Sequence, residues 1–171
     1  VLLIFDEIFS FRVDTGGCQT LYDVIPDITT VGKVVGGGLP IGVFGGREEI
    51  MNIYCHESTK TPLYHSGTFN GYETVMQAGF AALSKFDAPA VARINKMGDL
   101  LQECLVESFR NNNLNIRSNQ IGSLLNMHFV NEDIERAEQV LNSVEELHAL
   151  MHLALLNKGV FTIPRGLFIL S

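Results

Sequence analysis

The chain has 171 residues, 46 % hydrophobic and 18 % charged, which is the composition of a core-forming globular protein and excludes a disordered one. Twelve Lys+Arg against nineteen Asp+Glu leave a formal net charge of −7, which argues against nucleic acid or an anionic membrane surface as partner. No apolar run approaches a membrane span, and Cys18, Cys55 and Cys104 are too few and too scattered for a disulfide framework or a thiolate metal cage. A reducing, cytoplasmic compartment is the expectation.

Val1–Phe5 is a continuous β-prone run ending at Asp6-Glu7, the pattern of a parallel-sheet strand buried on both faces with carboxylates at its C-terminal edge. Nine of the sixteen glycines fall between Gly16 and Gly46. Within that stretch, Asp27–Phe44 reads as strand, tight turn and strand. Gly36, Gly37 and Gly38 would each cost a helix about 1 kcal/mol. From Glu73 the period becomes helical, with Val75, Met76, Gly79, Phe80, Leu83 and Phe86 on one face until Asp87-Ala88-Pro89 ends the run. A second amphipathic helix turns Val91, Ile94, Leu101, Leu105 and Phe109 inward and stops at Asn111-Asn112-Asn113. Ser123–Val130 alternates as a strand. Leu147, Leu150, Met151, Ala154 and Leu155 form a third helical stripe, closed by Lys158-Gly159, and Val160–Ile163 reads as a strand. The composition shifts near Pro89, so the expected domains are 1–88, a glycine-rich α/β part, and 89–171, a helix–strand–strand–helix–strand part. The chain opens without Met in one strand-like run and closes in another, Leu167–Leu170, so a piece of a longer protein is expected.

Three segments carry chemistry. Asp6-Glu7 at a strand end suits either a turn cap or a functional carboxylate pair. A nucleotide hydrolase would need a P-loop, and the one Gly-Lys here, Gly32-Lys33, lies after the strand and is followed by Val34, so these residues contain none. Lys33 is the single charge between Ile28 and Gly46, in apolar, glycine-lined company. Such a lysine either snorkels out of a buried turn or is a desolvated, nucleophilic amine. Ser66-Gly67-Thr68-Phe69-Asn70-Gly71 runs into the helix at Glu73, where small hydroxyl residues and free N–H groups serve as an anion site or as an ordinary cap. Taken together, a strand-end Asp, a lone Lys and a phosphate-suited Thr are what a pyridoxal 5′-phosphate (PLP) enzyme needs.

Their wording also resembles the class III aminotransferases, with the glutamate-1-semialdehyde 2,1-aminomutase branch closest. The resemblance is carried by Asp6-Glu7-Ile8 with Phe11-Arg12, by Gly32-Lys33 through Gly45-Gly46, and by Gly67-Thr68-Phe69-Asn70-Gly71. It implies the α/β fold type I of PLP-dependent transferases: the end of the large mixed-sheet cofactor domain, then a C-terminal α+β small domain. Lys33 would be the Schiff-base lysine and Asp6 the partner of the pyridine nitrogen. Ile8 would pack on the ring face, and Thr68 would reach the phosphate bound in the neighbouring subunit of a homodimer. The implied reaction is amino-group transfer on a small amino acid or amino aldehyde, within one molecule as in an aminomutase or between donor and acceptor as in a transaminase. A non-catalytic fragment or pseudoenzyme is the alternative of another class. Tyr72-Glu73 where relatives carry Asn-Pro, and the missing Gly before Phe11-Arg12, bear on substrate preference.

Other candidates read as structural. His148 and His152 lie four apart with no third ligand evident, so a solvated helix flank is expected and no metal site. His65 reads as a loop histidine, Cys55 and Cys104 as structural thiols, and Arg12 and Arg47 as surface residues.

Overall fold

The computed structural model describes all residues 1–171, in two units, Val1–Val91 and Ala92–Ser171. In the first, the short strand β1 (Ile4–Asp6) pairs in parallel with β2 (Ile28–Gly32), placing Asp6 opposite Thr30. β3 (Gly42–Gly46) pairs antiparallel with β2, so the order is β1-β2-β3. A 3-10 turn at Phe11–Val13 and the short helix α1 (Gly17–Leu21) connect β1 to β2. Within residues 1–171, Leu2, Leu3 and Ile4 are about half exposed, and β2 is the one strand paired with β1.

After β2 the chain turns through a 3-10 segment, Lys33–Gly36, and α2 (Glu48–Met51) follows β3. The lysine turn packs on α3 (Glu73–Leu83) at backbone distance. A Cβ on Gly79 would lie 2.3 Å from the Val35 carbonyl oxygen, and one on Gly37 would lie 2.2 Å from that of Ala78. No other residue admits that approach. Only Val75 and Gly79 of α3 are buried, whereas Phe80 is 72 % exposed, so the inward stripe is narrower than the hydrophobic period suggests.

α4 (Ala88–Asn111) starts where Asp87 Oδ1 accepts the Ala90 N–H at 2.8 Å, with Pro89 in its first turn. It ends before Asn113, whose φ of 58° closes the helix. In the second unit β4 (Arg117–Ile121), β5 (Leu124–His128) and β6 (Leu167–Ile169) form an antiparallel sheet in that order. β4 and β5 are joined by a two-residue turn at Gly122-Ser123. The core is Ile116, Leu125, Met127 and Phe129, against which Leu101, Leu105, Phe109 and Phe168 pack. α5 (Ala137–Val140) and α6 (Glu145–Asn157) follow β5, and α6 adds Leu147 and Met151 to the core. Lys158 and Gly159 return N–H bonds to Leu155 and Leu156, with Gly159 at φ 81°. Val160–Ile163 forms no strand, in contrast to its β-prone composition. Phe161 is 82 % exposed there, and Leu167–Ile169 makes the ladder with β5 instead.

Candidate active site

Successive residues of a strand point to opposite faces, and this separates the two acids at the end of β1. Glu7 turns inward and is 1 % exposed. Its Oε1 accepts the Gln19 N–H at 2.9 Å, and its Oε2 accepts the Ser10 hydroxyl at 2.5 Å. A Cβ on Gly17, already at φ 75°, would fall 2.7 Å from Oε1, so the start of α1 closes directly over the carboxylate. Burial pushes the nearby Cys18 thiol up, and the charge of Glu7 adds to the shift. Glu7 is therefore the anchor of the turn after β1.

Asp6 is exposed at the strand end. Its Oδ1 accepts the Ile8 N–H at 3.1 Å and the Thr30 hydroxyl at 3.3 Å, and Oδ2 takes part in neither bond. Thr30 comes from the neighbouring parallel strand. β2 runs two residues past Thr30 to Gly32, and Lys33 is the first residue after it. Asp6, Ile8 and Lys33 thus gather at the carboxyl ends of two paired parallel strands, the place where open α/β sheets bind ligands.

Lys33 adopts φ 50°, a left-handed backbone that lysine rarely takes and that costs on the order of 1 kcal/mol or more. Gly32 before it is buried, and a Cβ there would meet the Ile41 carbonyl at 3.1 Å and the Ile8 side chain at 3.4 Å, so Ile8 lies against bare backbone. The desolvated setting expected for the lysine is not formed by these residues: Lys33 is exposed. Its Nζ stands 5.0 Å from the centroid of the Phe9 ring and joins none of the ion pairs, which involve Arg47 and Arg117.

Thr68 lies elsewhere in the unit. It is exposed in a turn closed by Asn70 N–H to Gly67 at 3.0 Å and Tyr72 N–H to Phe69 at 3.2 Å. α3 begins five residues later with Glu73 in its first turn, so Thr68 does not sit at the helix start as the sequence suggested. Beside this turn, Phe44, Tyr54, His65, Phe69 and Tyr72 line a cavity of about 890 Å³ that includes neither Asp6 nor Lys33. His65 is fixed there, edge-on to Phe44 at 5.5 Å.

The remaining candidates divide. Arg47 is structural, paired with Asp27 at 2.8 Å and Glu49 at 2.9 Å, while burial lowers the pKa of Arg12. The solvated flank expected for His148 is wrong: the ring is 8 % exposed, with Nε2 3.0 Å from the Met127 carbonyl. His152 meets Thr162 Oγ1 at 3.3 Å. Cys104 is exposed, and at Cys55 the Ser58 hydroxyl, with the Glu57 and Ser58 N–H groups, pulls the thiol down, so neither is an inert core thiol. Phe9 and Thr30 carry no mark in the sequence; Glu7 is read there together with Asp6, and of the two readings of the pair it takes the turn-capping one.

Asp6 and Lys33 thus stand at one sheet edge, with Lys33 at a positive φ. The class-III aminotransferase model matches residues 1–169, and the chain belongs to that family. Among curated relatives, glutamate-1-semialdehyde 2,1-aminomutase 1 of Macrococcus caseolyticus is 37 % identical over 98 % of this chain and 40 % of its own length. Among solved structures, the β-phenylalanine aminotransferase of Variovorax paradoxus superposes with a TM-score of 0.91 at 35 % identity, over 100 % of this chain and 40 % of its own. A transaminase with PLP bound gives 0.88 at 29 % identity, over 100 % and 39 %. The chain spans about 40 % of the length of the curated relatives it matches. The fold is that of PLP-dependent class III enzymes. No helix is long and apolar enough to cross a membrane.

Proposed function

We propose that this chain carries the lysine, the acid and one apolar wall of a PLP site in an enzyme that transfers amino groups. The observation behind it is the convergence of Asp6 and Lys33 at the ends of β1 and β2, with Lys33 held at a positive φ. The residues fit the cofactor. Oδ2 of Asp6 is outside its two hydrogen bonds, Ile8 presents an aliphatic surface against Gly32, and the Lys33 amine is unpaired by carboxylate. When bound, PLP supplies an aldehyde that takes up amino groups and a ring that accepts electrons.

In this reading Lys33 holds the cofactor through Nζ and, once released, moves a proton at the substrate α-carbon. Asp6 keeps a proton on the pyridine nitrogen. Ile8 packs on the ring face. Thr68, exposed on its turn, reaches the phosphate bound by the partner subunit of a homodimer. Residues 1–88 act as the end of the large cofactor domain and 89–171 as the small domain, in a cytoplasmic enzyme. The substrate is a small amino acid or amino aldehyde. Transfer within one molecule, of the aminomutase kind, is the first reading. Transfer from a donor to a separate acceptor is the second, favoured by the close superposition on the Variovorax aminotransferase.

Borohydride reduction of the full chain with PLP, followed by peptide mapping, tests the site. The pyridoxyl group is expected on Lys33; finding it on Lys60, Lys85, Lys96 or Lys158 overturns the assignment. Conversion of an amino aldehyde without any keto acceptor supports the aminomutase reading, and a strict need for an acceptor supports transamination.

A further inference from the structure

Lys33 is exposed yet has a defined place. Its ammonium lies 5.0 Å from the centre of the Phe9 ring, inside the range where the negative face of an aromatic attracts a cation. Phe9 itself is held on both sides. Ile8 before it packs over Gly32, and Ser10 after it binds the buried Glu7. The backbone of the turn is closed by the Phe11 N–H on the Glu7 carbonyl at 3.0 Å. The backbone that carries the ring is therefore tied down on both sides, and the Lys33 ammonium reaches the ring from the first residue after β2.

We propose that Phe9 is a positioning residue: it seats the free ammonium of Lys33. The proposal rests on Lys33 being the cofactor lysine, because it gives the seat a purpose. Condensation of the ammonium with an aldehyde joins Nζ to the carbonyl carbon and expels the carbonyl oxygen, with two ammonium hydrogens, as water. The nitrogen then belongs to the cofactor, and the seat over Phe9 is vacated. A contact made in the free state and given up in the bonded one stabilises only the free lysine. It keeps the displaced amine beside the reacting atoms, and it weakens cofactor capture by the same factor.

Two measurements on the full chain test this. In cofactor-free protein with ¹³C-methylated lysines, the Lys33 signal, assigned by its loss in Lys33→Arg, is expected upfield of the other lysines because of the ring current. Phe9→Leu, which keeps apolar volume without the ring, should return it to their position, and Phe9→Tyr should leave it upfield. On unmethylated protein, PLP affinity should rise about two- to five-fold in Phe9→Leu, the factor expected of an exposed cation–π contact, and stay native in Phe9→Tyr. A Lys33 signal indifferent to Phe9→Leu overturns the seat, and unchanged or weaker PLP binding in that variant overturns its competition with capture. Pyridoxyl trapped on another lysine would instead defeat the cofactor assignment, while the methyl signal would still decide whether Phe9 seats Lys33.

Discussion

The two units use their apolar residues differently. In Ala92–Ser171, Leu125 and Met127 are fully buried, and Ile116 and Phe129 complete a core between sheet and helices. In Val1–Val91 the buried hydrophobics are Val13, Val75 and Val91, while Leu2, Leu3 and Ile4 stand half exposed and Phe69 and Phe80 mostly so. The first unit's most buried large side chain is a carboxylate, Glu7. Order around the lysine comes from hydrogen bonds and glycine-to-backbone contacts, and order in the second unit comes from packing.

That contrast can be broken by substitution in the full chain. Lys33→Ala should lower amino transfer by about 10⁴-fold, the upper range for a positioned proton-transfer group, without moving the denaturation midpoint of the second unit. Met127→Ala should do the reverse, costing about 2–5 kcal/mol in denaturant unfolding while leaving PLP captured on Lys33. Loss of capture in Met127→Ala would show that the two kinds of order are not separable. Asp6→Asn should slow turnover by about 10²-fold with pyridoxyl trapping intact, since an amide cannot hold a proton on the pyridine nitrogen. Near-native turnover would remove Asp6 from the site.

The smallest effect concerns pH. Burial, reinforced by His148, holds the His128 imidazole below its ordinary value of 6.5. The folded unit therefore keeps the ring neutral, and the unfolded chain takes up the proton first as pH falls. This contribution to stability is complete above pH 6.5 and is lost as the pH drops through that value towards the lower folded one. Comparing denaturant midpoints at neutral pH and at about pH 5 should show a decline that His128→Asn reduces. An equal decline in both proteins would exclude His128 as its source.

Much of this was legible in the residues. The apolar run to Asp6, the glycine-punctuated Asp27–Phe44 segment and the helices from Glu73 and Pro89 follow from period and turn chemistry, and α6 with its Gly159 cap does too. Lys33 stood out because nothing else near it is charged. What stayed hidden depends on contacts between distant residues. β4 reads Arg-Ser-Asn-Gln-Ile and looks like a loop until β5 supplies its partner. Val160–Ile163 has strand composition, but Leu167–Ile169 takes the ladder with β5. His148 sits among apolar helix residues and is polar enough to pass for surface, yet Met127 and Gly166 enclose it. Phe9 carries no signal in composition, because its role arises only where two strand ends meet.

Where Gly79 meets Val35, helix and turn touch with no side chain between them. Nothing soft separates them, so α3 fixes the backbone of the turn that begins at Lys33. For protein engineering this makes the lysine hard to re-aim by local changes. Any side chain added at Gly79 or Gly37 must drive helix and turn apart, and the amine moves with the turn. Substitution has freer ground at residues such as Phe44, Phe69 and Tyr72, which line the open cavity and take no part in that backbone contact.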